Sequence, residues 1–132
     1  MAKSGKAPAP AVLWLDAPEE HDYPAAASYL SLVAPADVVD PLVAKFRAAS
    51  IVHFKAKDIL RAAQLPLLGV TNPHVASDLA KVRSGAALSP ILLVRGLLAQ
   101  GLRLEIADGY HRVCACYYTD ENIDIPCLVV DR

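Results

Sequence analysis

The residues of this chain best suited to chemistry stand together in Asp108-Gly109-Tyr110-His111-Arg112. A glycine-containing turn leads here from a run that alternates polar and apolar side chains, Arg103 to Ala107, into the uncharged run Val113 to Tyr118. That is the pattern of a half-buried strand followed by a buried helix. Such a helix would begin with an imidazole and a guanidinium in its first turn. Free N–H groups and the positive end of the dipole at a helix start favour an anion. The planar fork of Arg112 suits phosphate or carboxylate. The same spacing also permits an internal role, with Arg112 paired to Glu105, Asp108 or Asp78 and Asp108 capping the helix. A buried guanidinium without a partner would be costly. Spacing alone leaves both open.

A second group is His74, Ser77, Asp78 and Lys81, which share one face of a helix whose other face carries Val75, Leu79 and Val82. Imidazole, hydroxyl and ammonium one turn apart could line an anion pocket if the helix at 110–119 comes alongside. An isolated helix would only present them to water. Cys114 and Cys116 diverge on a helix and can neither pair nor chelate one metal. With Cys127 they read as buried hydrophobes. Glu20-His21-Asp22 is too local for a metal site, and no Walker loop, Gly-x-Ser-x-Gly elbow or GxGxxG occurs.

These side chains need elements to hold them. Residues 1–11 read as a disordered tail, and Val12 to Leu15 as an edge strand or a plug on the core. Asp22 is expected to cap a helix with Pro24 in its first turn and Ala26, Tyr29, Leu30 and Val33 on one face. Asp40-Pro41 gives the same signal for a second helix, which a turn at 36–39 can join. Ile51 to Phe54 is a strand. Asp58 then caps a short helix stopped by Pro66, and Asn72-Pro73 opens the helix that Gly85 ends. Ile91 to Val94 reads as a central strand, followed by a turn at 96–101, a strand at 102–107 and the helix at 110–119. Pro126 to Val130 is a strand that closes the sheet. The fold class is α+β: a small mixed sheet of about four strands packed by helices. Residues 12–132 form one domain, with a helical extension at 12–50 covering one side of a core at 51–132.

The chain of 132 residues has 55% hydrophobic and 20% charged residues, so it is globular and long enough for one core. A net charge of −1 gives no footprint for non-specific nucleic-acid binding. No apolar run reaches the roughly 20 residues that span a bilayer, and Met1 to Lys6 lead into no secretory segment. Three cysteines without CxxC spacing fit a reducing compartment, so the cytoplasm is expected.

From about Ile51 to Val130 the chain resembles the ParB/sulfiredoxin-like superfamily. The segments that carry the resemblance are Asp58-Ile59-Leu60-Arg61, Asp78 to Gly85, Ser89 to Val94, Ile106 to Arg112 and Ile125 to Val129. The most specific is Gly109-Tyr110-His111-Arg112, similar to the Gly-x-His-Arg box of ParB-type proteins and the Gly-Cys-His-Arg of sulfiredoxins. The resemblance implies binding of nucleotide phosphates by Gly109, Tyr110, His111 and Arg112. His74, Ser77 and Lys81 stand where sulfiredoxins place nucleotide contacts on the preceding helix. ATP, ADP or CTP with Mg²⁺ is the implied ligand, the metal bridging phosphates to Asp108 or Glu105, which are also the candidates for a catalytic base. Phosphoryl transfer or nucleotide hydrolysis is the reaction class to expect of an enzyme here. Tyr110 replaces the reactive cysteine, which argues against sulfiredoxin activity. The chain ends at Arg132, just past its last strand, with no DNA-binding domain evident. The alternative is a non-catalytic interaction or structural module in which Arg112 makes an internal salt bridge.

Overall fold

The computed structural model describes residues 11–132, so the tail expected at the N-terminus lies, except for Ala11, outside the described residues. Two helices come first, α1 (Asp22–Leu30) and α2 (Ala36–Ala48). They lead to β1 (Val52–Lys55), α3 (Ala56–Ala63), α4 (Pro73–Ser84), β2 (Ile91–Val94), β3 (Glu105–Asp108), α5 (Tyr110–Thr119) and β4 (Asp124–Val130). The fold is α+β, with one four-stranded mixed sheet in the order β1-β4-β2-β3. The β2–β4 pair is parallel and the other two pairs are antiparallel.

Period-two alternation sorts the strands' side chains onto two faces. Ile91, Leu93, Ile106, Ile125 and Cys127 meet α3, α4 and α5 in one core. Leu92, Val94, Ala107, Leu128 and Val130 meet α1 and α2 in the other. Residues 12–50 therefore supply the helices of one face, although Val12 and Trp14 pack on the opposite core. Among the described residues that first run pairs with Leu88, through Leu15 N–H to Leu88 O and Leu88 N–H to Leu13 O. No described helix is long and apolar enough to cross a membrane.

Several boundaries differ from the sequence expectations, each for a local reason. Asp22 is not the cap of α1: His21 holds that position, and Asp22 is a buried first-turn residue whose Oδ2 accepts the Glu19 N–H. The helix stops at Leu30, which leaves Val33 exposed. Helix α2 begins at Ala36 and runs through Pro41, because the buried Val39 draws the first turn into the core. Helix α3 starts at Ala56 instead of being capped by Asp58; carbonyls of Ile123 and Glu121 accept its first N–H groups. Strand β3 is shorter than expected because the Leu104 N–H turns away to Ala62 O.

Strand β4 does not close the sheet at an edge. It lies between β1 and β2. Pro126, which has no N–H to donate, lies one residue before the pairing with β2 begins at Cys127.

Candidate functional site

The turn from β3 into α5 is possible because residue 109 is glycine. Gly109 caps α5 with φ 109°, and a Cβ there would stand 2.5 Å from Ile91 Cδ1 and 2.9 Å from Arg112 Nη2. The turn is thus closed over the start of β2 and over the Arg112 side chain. Among the described residues no side chain caps α5, so its first N–H groups, which have no intrahelical partner, gain none from a side chain. Two hydroxyls pin the helix laterally: Tyr110 donates to Pro66 O at 2.6 Å and Tyr118 to Leu68 O at 2.8 Å. Tyr110 therefore acts through the loop after α3, with its phenol committed to a backbone carbonyl.

Helix α4 comes alongside α5. Its own start is fixed by Asn72, whose Oδ1 accepts from His74 N at 3.0 Å and Val75 N at 3.2 Å. Replacing Asn72 by Ala should cost about 1 kcal/mol of stability, measurable by urea unfolding. The packing sets the rings of His74 and His111 4.7 Å apart, centroid to centroid. Ser77 and Lys81 follow on the exposed side of α4. Asp78, almost buried, lies under this surface with Lys81 Nζ 3.8 Å from its Oδ1. Burial pushes its carboxyl up, while Lys81, Arg112, His111 and His74 draw it back. Burial pushes the His111 imidazole down, His74 and Arg112 push the same way, and Asp78 opposes them. Four of the sequence-picked residues, His74, His111, Ser77 and Lys81, therefore belong to one surface with the free end of α5.

Arg112 points inward. Its Nη2 donates to Asp108 Oδ2 at 2.8 Å and, at 3.4 Å, to Pro90 O; its Nη1 lies 3.9 Å from Asp22 Oδ1. The three side chains are 16%, 16% and 3% exposed for Arg112, Asp108 and Asp22, so this is an internal ion cluster tying α5 and β3 to α1. Arg112 Nε is buried without a hydrogen-bond partner. Burial pushes the Asp108 carboxyl up, Arg112 pulls it down, and Asp22 raises it again.

Asp22 is the residue that sequence reasoning missed. It is 90 positions from Arg112, but it falls four and eight residues before Ala26 and Leu30, on the buried face of α1. An acid on that stripe was the available signal. Of the alternatives left open for Arg112, Asp108 is its partner. Glu105 stands at the other end of β3, where its carboxylate accepts from the Tyr29 hydroxyl and lies 3.9 Å from Arg103. That hydroxyl is pushed up to about 12 by burial and by Glu105. Glu105 does not join the surface at α4 and α5.

The cysteines are buried and unpaired. Burial pushes the thiols of Cys116 and Cys127 up to about 12 and raises Cys114 as well, so none is poised as a thiolate. Among the described residues, the group of possible metal ligands lying close together is Glu19, His21 and Asp22, within 4.8 Å of one another. Two of these are exposed, and Asp22 is already engaged by Arg112. No protein-family model, no curated protein and no solved structure matches the chain.

Proposed function

We propose that this protein binds the phosphate groups of a nucleotide on the surface shared by α4 and α5. The observation that carries this reading is the approach of His74 and His111 to 4.7 Å beside an uncapped helix start. Two imidazoles, the Lys81 ammonium, the Ser77 hydroxyl and the first N–H groups of α5 are all donors, which an anion would satisfy together. The similarity of Gly109 to Arg112 to a phosphate-binding box supports the same reading. In it, His111 and the N–H groups after Gly109 meet the phosphates. Arg112 holds the turn from behind through Asp108 and Asp22. Mg²⁺ would accompany the phosphates without a carboxylate of the turn, since Asp108 is taken by Arg112 at 2.8 Å. Phosphate release in the same samples would reveal hydrolysis.

The test is thermal unfolding with ATP, ADP and CTP, with and without Mg²⁺. A ligand at 100 times its dissociation constant adds about 2.7 kcal/mol, and His74→Ala or Lys81→Ala should weaken binding by roughly fivefold each. No stabilisation by any nucleotide would contradict the proposal. The pH dependence has a definite sign. The folded protein holds His111 below its usual value of 6.5, so the free protein loses stability as the pH falls through that range. A bound phosphate favours the imidazolium, so affinity should rise over the same window.

The 2.8 Å pair of Arg112 with Asp108 favours a second reading, a non-catalytic module that uses this cluster only as a brace. That reading expects no response to nucleotide at any pH.

A further inference from the structure

The β2–β3 pair has a second end, opposite Gly109, where the chain turns back through residues 96–104. A cavity of about 630 Å³ opens there, between α3 and the sheet. Its size falls within the roughly 300–1,000 Å³ of ligand sites. Ile59 and Leu93, both 1% exposed, form its floor, and Leu104 and Val129 continue the apolar wall. Phe54 and Leu102 leave 43% and 42% of their surface to solvent at its margin, so the apolar area is not closed over by the fold.

Its rim carries guanidinium groups that are only partly engaged. Arg61, Arg95 and Arg103 line the cavity against a single acid, Asp58. Each guanidinium touches one carboxylate through one nitrogen: Arg61 Nη2 to Asp58, Arg95 Nε to Asp131, Arg103 Nε to Glu105. The other nitrogens of these forks make no hydrogen bond to described residues and can donate to a ligand.

We propose that this cavity binds a small amphipathic carboxylate, its apolar body on Ile59, Leu93, Leu104 and Val129 and its carboxylate at the arginine rim. The apolar floor selects a hydrocarbon body, and the guanidinium N–H groups left without a hydrogen bond select a head that only accepts, a carboxylate. The site is separate from the surface of α4 and α5.

The experiment is a titration of the full chain with decanoate below its micelle concentration, followed by methyl and amide NMR. Decyltrimethylammonium serves as the same tail with the opposite charge. The expected result is shifts confined to Leu93, Leu104, Val129 and their neighbours, with decanoate alone. Arg61→Glu combined with Arg95→Glu changes only exposed side chains and should weaken decanoate by about fivefold or more. Ala62→Trp, which fills the exposed lip of the cavity, should abolish the shifts while leaving the rest of the spectrum intact. An equal response to the cationic amphiphile overturns the proposal, as do shifts elsewhere or no response. So does a response to an oligoglutamate peptide without one to decanoate, or a dimer by sedimentation that decanoate leaves unchanged.

Discussion

Arg112→Ala should lower the unfolding free energy of the ligand-free protein by about 3 kcal/mol, the cost of breaking a buried pair and leaving its charges unmatched. The substitution strands the carboxylates of Asp108 and Asp22, which are 16% and 3% exposed. Burial already raises the Asp108 carboxyl, and Arg112 is the largest influence that holds it down. Without Arg112 that carboxyl rises further, so the folded variant takes up a proton before its unfolded chain does. Protonation then favours folding, and the gap between variant and wild type should narrow as the pH falls. Urea unfolding at neutral and mildly acidic pH measures both effects. Adding Asp22→Asn to Arg112→Ala should recover part of the loss, because one of the stranded charges is gone. A variant as stable as wild type at neutral pH would mean that the ion cluster does not brace the fold.

Gly109→Ala should cost a similar amount, about 3 kcal/mol, by two routes. The left-handed backbone penalises any Cβ by roughly 1–2 kcal/mol, and the new methyl meets Ile91 and Arg112 at 2.5 and 2.9 Å. Ile91 is fully buried in the core, so it has little room to withdraw. Gly85 is the internal control, since it also has positive φ, 77°, but nothing within 4 Å of its would-be Cβ. Gly85→Ala should therefore show the backbone penalty alone, about 1 kcal/mol. Equal losses at the two glycines in thermal unfolding would remove the steric part of this account.

The turn between β3 and α5 was legible because three local signals agree there. Alternation ends at Ala107, a glycine follows, and an uncharged stretch of helical length comes next. The apolar run Ile91 to Val94 was equally clear as a central strand, and all four of its residues are buried. Asn72-Pro73 marked the start of α4 because its cap is local, made within three residues. Where the expectation failed, a distant group had taken the partner that local reasoning assigned. Asp22 has the residue type of a cap, but its carboxylate serves Glu19 N–H and Arg112. Asp58 likewise looks like a cap, yet α3 begins two residues earlier on carbonyls from the loop before β4. The interior place of β4 depends on which strands pair, and side-chain alternation carries no information about neighbours.

The surface at α4 and α5 was visible only in halves. Periodicity placed His74, Ser77 and Lys81 on one helix face, and the turn motif placed His111 at a helix start. Their meeting depends on the packing of α4 against α5, which the tyrosines help to fix by tying α5 to the loop at 64–72. Arg112 is the opposite case. Its residue type suggests an anion outside, while burial gives it two carboxylates within. The donors left for a ligand are those on α4 and the imidazole of His111.

The central claim is that a phosphate sits against the first turn of α5 and the two histidines. Amide and imidazole NMR resonances followed during titration with inorganic phosphate, and then with ATP and Mg²⁺, test it most directly. The account predicts saturable shifts at Tyr110, His111 and Arg112 amides and at the His74 and His111 rings, stronger at pH 6 than at pH 8. Saturation that leaves these positions unmoved, or no saturation with either ligand, would contradict it.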